Sequence, residues 1–298
     1  MVTRREFLRT AAAGPFVASA FGRPADAAAA IQFGYAGITW GSDYMKAIDE
    51  IAGAGYRGVQ LRSSDGLLDA FGDKPAALRE LLVRKRLAFP VFSSGNLSID
   101  PAREQEMLDL HTKHAKFVRE AGGLFLQIID ERPKGRPVVA DDYKRTGRLL
   151  TELGKRVSDA GVTLAYHHHM NSTGEKPPEV AAVLEAADGR YVKLLFDTAH
   201  YQQGGGDPAS AIRRYADRIA VLHLKDVRNA ASEPSGYQFV ELGRGRVDFP
   251  AVFAALSDIK FKGWGVVELD RVPDAGRTPK ECAEINRRYL VDTLHQPW

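Results

Sequence analysis

The sequence predicts a single-domain (β/α)8 TIM barrel, and three observations predict it. Short apolar runs alternate with longer amphipathic stretches from residue 31 to the end. No Gly/Ser-rich or Pro-rich linker divides the chain. The longest irregular stretches follow the apolar runs, and the connections into the next run are tight, the asymmetry of a parallel barrel with one working rim. The strand-like runs occupy residues 31–38, 56–61, 87–92, 124–129, 163–167, 192–197, 219–224 and 263–269. Eight of them in strict alternation with helices suit a closed barrel better than an open sheet. Ser42 is suited to cap a helix over 43–54, and Asp100-Pro101 places proline in the first turn of a helix reaching Ala121. A third helix spans 141–160 and stops at Gly161. Asp207-Pro208, Asp248-Phe249-Pro250 and Thr278-Pro279 repeat the cap-then-proline pattern. The irregular stretches 129–137, 170–178, 201–207 and 227–248 would line the C-terminal rim, whereas 160–162 and 216–218 are tight connections at the other end.

The chain of 298 residues is 44% hydrophobic, enough for a barrel interior and a helical ring, and carries a net charge of +3. Residues 1–30 hold four arginines against Glu6 and Asp26, so the remainder is close to neutral, which argues against a nucleic-acid partner. Cys282 is the only cysteine, so no internal disulfide forms and the core must supply the stability. Thr3-Arg4-Arg5-Glu6-Phe7-Leu8, a mild apolar stretch over 10–21 and Ala25-Asp26-Ala27 follow the order of a twin-arginine export signal and its cleavage site. Residues 1–30 are therefore expected to be a signal peptide that delivers 31–298 to the periplasm or otherwise outside the cytoplasm. The apolar stretch is too short for stable membrane insertion.

The last four strand-like runs end in groups that can ligate metal: Tyr166-His167-His168-His169, Phe196-Asp197-Thr198-Ala199-His200, Leu222-His223-Leu224-Lys225 and Val267-Glu268-Leu269-Asp270. Strand side chains alternate between faces. If the bulky apolar residues Leu164, Tyr166, Phe196, Leu222, Leu224, Val267 and Leu269 face the helices, then His167, Asp197, His223 and Glu268 face the axis at one height. Each alone has an ordinary reading as a cap or a solvated loop residue; agreement in phase across four strands points to a site. Two imidazoles and two carboxylates suit one divalent ion, Mn²⁺ or Co²⁺ first, with Mg²⁺, Fe²⁺ or Zn²⁺ as alternatives. His169 and Lys225 share the inward phase one step further out, and His168 is expected to support a ligand or to be structural.

The stretches 161–171, 196–200, 223–228, 242–256 and 263–270 resemble the xylose isomerase-like TIM barrel superfamily of sugar isomerases and epimerases. Tyr-His-His-His-Met, His-Leu-Lys-Asp-Val-Arg and Gly-Arg-Gly-Arg-Val-Asp-Phe-Pro are most similar to its inosose dehydratase branch. That resemblance implies one divalent ion held by Glu, Asp, His and Glu. The last three positions fall on Asp197, His223 and Glu268, and the first falls on His167. In the epimerases the two glutamates also act as paired acid and base, so a histidine at 167 disfavours a symmetric shuttle and favours one-sided elimination or a His-assisted transfer. His200 is also a family position, and Gln60 stands where the family often has Glu.

The expected chemistry is α-proton abstraction from a keto-sugar, keto-glycoside or keto-cyclitol, with a metal-stabilised enediolate and β-elimination. Glu268, His169 and His200 are the candidate bases. Lys225 and Arg228 can neutralise oxyanion charge or simply pair with Asp226 or Glu241, and Trp40 can stack on a sugar ring. Asn96, Asp130 and Glu131 are weaker site candidates. A metal-dependent isomerase or epimerase and a non-catalytic exported sugar-binding protein are the alternatives; the near-neutral charge disfavours a DNA-cleaving relative of the same barrel. The glycines at 204–206 and in Gly243-Arg244-Gly245 match no phosphate or dinucleotide fingerprint, so no nucleotide cofactor is expected. The small-molecule carbohydrate or cyclitol is the only partner indicated, and an oligomer is compatible with the sequence.

Overall fold

The computed structural model describes residues 31–298, so the signal-peptide reading of residues 1–30 lies outside the described residues. Eight parallel strands close a barrel: β1 (Gln32–Ala36), β2 (Gly58–Arg62), β3 (Val91–Leu97), β4 (Phe125–Asp130), β5 (Thr163–His167), β6 (Val192–Asp197), β7 (Ile219–Leu224) and β10 (Trp264–Val267), the last pairing with β1. A two-stranded antiparallel hairpin, β8 (Asp226–Asn229) and β9 (Tyr237–Val240), interrupts the barrel order. It was not foreseen, because the Gly/Pro/Ser-containing turn between its arms makes the whole stretch read as irregular.

The helical ring comprises α1 (Tyr44–Gly53), α2 (Leu67–Phe71), α3 (Pro75–Arg84), α4 (Glu104–Glu120), α5 (Ala140–Asp159), α6 (Pro177–Ala186), α7 (Thr198–Gln203), α8 (Pro208–Arg214), α9 (Phe249–Asp258) and α10 (Pro279–Arg288). The expected caps form where a carboxylate or hydroxyl precedes proline. Asp207 accepts from Ser210 N at 2.6 Å, Asp248 from Ala251 N at 3.0 Å and Thr278 from Glu281 N at 3.2 Å. Each such cap stabilises its helix by about 1 kcal/mol. The first helix is capped by Asp43 rather than Ser42, because the carboxylate reaches Lys46 N. A short 3-10 turn at Pro101–Arg103 precedes α4. Among the described residues, no helix is long and apolar enough to cross a membrane.

Alternation along the strands sorts the core into two apolar groups. Leu164, Tyr166, Phe196, Leu222, Leu224, Val267 and Leu269 belong to the layer between strands and helices. Ala36, Val91, Ala165, Leu195, Val221, Trp264 and Val266 fill the barrel interior. Residues 165, 195, 221 and 266 each sit two positions before a candidate ligand, so the period-two pleat carries His167, Asp197, His223 and Glu268 onto the next layer of the same inner face. Trp264, the first residue of β10, packs in the barrel interior.

Two buried carboxylates fix loops at the working rim. Asp226 accepts from the backbone N–H of Val227, Gly245 and Val247 at 2.8–3.1 Å. A Cβ at Gly245 would collide with the Asp226 carboxylate, which explains a glycine in the Gly-Arg-Gly-Arg motif. Asp130 accepts from the Tyr166 hydroxyl at 2.8 Å and from Thr173 N at 2.6 Å, tying the loop after β5 to the end of β4. Asp130, a weaker site candidate from sequence, thus has a structural task.

Candidate metal centre

Four strand ends converge at the C-terminal mouth of the barrel. Asp197 Oδ2 lies 3.4 Å from both His167 Nε2 and His223 Nδ1, and His223 Nδ1 lies 3.4 Å from Glu268 Oε2. His200 Nε2 is 4.0 Å from the same Asp197 oxygen. Two overlapping donor groups result, Asp197–His223–Glu268 and His167–Asp197–His200, all of them buried. The structure therefore brings together the four ligand candidates and two of the candidate bases, Glu268 and His200.

The electrostatics call for a cation. Burial works to raise the pKa of Asp197, but the imidazoles of His200, His167 and His223 and the Lys225 ammonium outweigh it and hold the carboxyl well below the usual range. Glu268 is brought down to about 2 in the same way: burial opposes ionisation, and His223, Lys225 and His167 overcome it. Lys225 is fully buried, with Nζ 2.8 Å from Glu268 Oε1 and 2.5 Å from Asp270 Oδ1. Burial works against its charge, yet Asp270, Glu268 and Asp197 raise its pKa. Three carboxylates facing one ammonium leave a local excess of two negative charges, which a divalent ion neutralises. His223 Nδ1 is buried with no hydrogen-bond partner while two carboxylate oxygens stand beside it. An unpartnered imidazole nitrogen among carboxylate oxygens is the mixed N/O donor set of a metal site. The residues present fit a divalent ion.

The other histidines divide by their backbone contacts. His169 donates through Nδ1 to the Met170 carbonyl at 2.7 Å, which leaves Nε2 as a lone pair on a half-buried ring lining the cavity. His200 Nδ1 accepts from Met170 N at 3.3 Å, and its ring lies 3.8 Å from that of His169, centroid to centroid. Burial, with Lys225 and the neighbouring imidazoles assisting, holds His200 well below the usual histidine range and outweighs the pull of Asp197. His168 accepts from Asp197 N at 3.2 Å and points into the outer core, a structural position as expected.

A cavity of about 480 Å³ opens above the cluster. Gln60, His167, His169 and Glu268 form its floor, and Arg62 and Asn96 are among the polar residues of its walls. That volume lies within the range of small-molecule sites. Glu131 also borders it. Two expectations need correction. Trp40 does not line the cavity: its indole N–H donates to Glu50 Oε2 at 2.6 Å and its ring packs edge-on against Tyr35 in the outer core. Arg228 sits on the β8 arm of the hairpin, where Gln238 and Asp274 hold its guanidinium away from the cavity lining. Lys225 pairs with Glu268 and Asp270, and neither Asp226 nor Glu241 is its partner. Gln127, Ser94, Arg103 and His111 also line the cavity and were missed. Gln127 had a legible signal, since it follows the interior Phe125 by two positions on β4.

Residues 48–290 match the xylose isomerase-like TIM barrel family. The chain is 28% identical to the inosose dehydratase of Lacticaseibacillus casei over 303 residues, covering 90% of this chain and 98% of that one. The fold is similar to the crystal structure of the IOLI protein with a binding zinc atom (TM-score 0.75, 19% identity, 89% of this chain and 98% of that chain). It is also similar to D-allulose 3-epimerase from Methylomonas sp. (TM-score 0.70, 19% identity, 88% of this chain and 98% of that chain). The chain thus belongs to the xylose isomerase-like TIM barrel family and is an enzyme of it.

Proposed function

We propose that the chain is a divalent-metal-dependent carbon–oxygen lyase acting on a keto-sugar, keto-glycoside or keto-cyclitol. The observation that carries this reading is the buried Asp197–His223–Glu268 cluster with its orphaned Nδ1, set beneath a polar cavity. A divalent ion held there supplies Lewis acidity toward a substrate carbonyl. Mn²⁺ and Co²⁺ fit the mixed N/O donors best, with Mg²⁺, Fe²⁺ and Zn²⁺ also compatible.

The chain's own residues divide the proton work. His169 presents Nε2 as a lone pair beside the cavity and is the base that takes the proton α to the carbonyl. Lys225, fixed against Glu268 and Asp270, helps to keep the Glu268 carboxylate ionised and adds positive potential where oxyanion charge develops. Glu268 is bound on one oxygen by Lys225 and faces His223 with the other, so it is better placed to ligate than to shuttle protons. The relatedness to inosose dehydratase supports elimination of water, and the cavity also has room for a glycoside whose aglycone is the leaving group. Incubation in D2O with 2-keto-cyclitols and 3-keto-glycosides, followed by NMR, tests the proposal. Loss of water or aglycone supports the lyase; deuterium uptake with every carbon–oxygen bond retained identifies an isomerase or epimerase instead.

The leader over residues 1–30 supports export through the twin-arginine pathway. A periplasmic protein whose N-terminus lies near residue 30 is expected, and an uncleaved cytoplasmic chain would contradict that.

A further inference from the structure

Beside the metal cluster, two cavity-lining amide side chains join the imidazoles of β5 and β7. His223 donates through Nε2 to Gln60 Oε1 at 2.8 Å. Gln60 Nε2 donates to Gln127 Oε1 at 2.9 Å, and Gln127 Nε2 donates to His167 Nδ1 at 2.9 Å. All four side chains are buried. Each link carries one proton, and each primary amide has one donor end and one acceptor end, so the chain of bonds runs in one direction only. Direction has a consequence for the two rings. The histidine that donates into the chain keeps a lone pair on its other nitrogen, and the histidine that accepts from it carries N–H there. Two neutral imidazoles bridged in this way cannot both offer a lone pair to one cation.

Glu268 selects the direction. Gln60 Nε2 stands 3.5 Å from Glu268 Oε2. Reversing the relay would turn the Gln60 carbonyl oxygen toward that carboxylate, a like-charge approach inside a buried site where screening is weak. The favoured sense leaves the His223 Nδ1 lone pair between Asp197 Oδ2 and Glu268 Oε2, and it leaves His167 with Nε2–H directed at Asp197 Oδ2, 3.4 Å away.

We propose, building on the metal-site reading above, that the ion has three protein ligands, Asp197, His223 and Glu268. His167 is then a neutral N–H donor that orients the Asp197 carboxylate and faces the substrate cavity, and Gln60 and Gln127 are positioning residues that hold its tautomer. The four-ligand set expected from the sequence becomes three ligands and one hydrogen-bond donor. The same tautomer removes His167–Asp197–His200 as a competing metal group.

X-ray absorption of the full chain loaded with Zn²⁺ counts the imidazoles bound to the ion. One is expected in the wild type. In Gln127→Glu the amide donor becomes an acceptor, so His167 Nδ1 must donate to it and Nε2 gains a lone pair; the count should rise to two. His167→Gln keeps an acceptor for Gln127 and an N–H donor for Asp197. Its Zn²⁺ Kd, measured by competition with a chromophoric chelator, should stay within about threefold of wild type, below the 10–100-fold typical of losing an outer-shell partner. His223→Gln should weaken binding by more than about 100-fold. Two imidazoles in the wild type, an unchanged count in Gln127→Glu, or equal losses in His167→Gln and His223→Gln would overturn this proposal while leaving the metal site standing. A wild type that binds no Zn²⁺ would overturn the metal reading together with it.

Discussion

Replacing Lys225 by methionine isolates the electrostatics of the site from its packing. The two side chains have similar length and volume, so the substitution removes an ammonium without opening a large void. In the native chain that ammonium is fully buried, contacts Glu268 and Asp270, and lies 4.1 Å from the centroid of the Phe239 ring. Without it, Glu268 keeps Gln60, His223 and His167 as the neighbours that offset its charge. Breaking a buried ion pair on one side costs about 3–5 kcal/mol, because the remaining charge stays buried. For a domain of this size each kcal/mol moves Tm by roughly 2–4 °C, so the chelated variant should melt roughly 10 °C below the chelated wild type. Saturating divalent metal should recover part of that difference, since a cation bound to Glu268 takes over some of the ammonium's electrostatic task. Calorimetry of both proteins with EDTA and with metal decides it. A drop under about 2 °C, less than 1 kcal/mol, would refute the reasoning; so would a deficit that metal leaves unchanged.

Three further outcomes are expected. His169→Ala should lower kcat by about 10²–10⁴-fold, the range for removing a general base, while metal content stays at the wild-type value; lost metal or normal turnover would contradict its assignment. Burial holds His111 down at about 4, against 6.5 in an unfolded chain. The unfolded state therefore binds a proton that the folded state refuses, and stability falls as pH drops from about 6.5 toward 4, by ~3 kcal/mol from this residue. Urea melts of wild type and His111→Asn across that window should show a shallower pH slope in the variant. A Cβ at Gly174 would collide with the Tyr166 hydroxyl that bonds Asp130, so Gly174→Ala should destabilise by about 2 kcal/mol, read in the same melts.

The barrel was legible because its strands obey a simple rule: bulky apolar residues face the helices, and whatever alternates with them faces the axis. That rule oriented Leu164, Phe196 and Leu222 correctly and predicted the inner face for His167, Asp197, His223 and Glu268. The same rule holds on β4, where Gln127 lies two positions after Phe125 on the inner face. The loops obey no such period. Trp40 follows the first strand, where an aromatic can meet a ligand or a helix, and Glu50, ten residues on in α1, holds it in the outer core. Arg228 lies on a hairpin whose partner arm begins nine residues after it, a pairing that composition does not reveal. The amide relay is the least legible feature. Its glutamines and histidines come from four strands, and its meaning lies in the direction of three hydrogen bonds.

The direct test of a shared divalent ion is the metal content of the purified full chain and of Asp197→Ala, measured by mass spectrometry after equilibration with Mn²⁺ or Co²⁺ and removal of free ion. One equivalent in the wild type and almost none in the correctly folded variant is the expected result. A metal-free wild type, or a variant that stays fully loaded, would contradict the account.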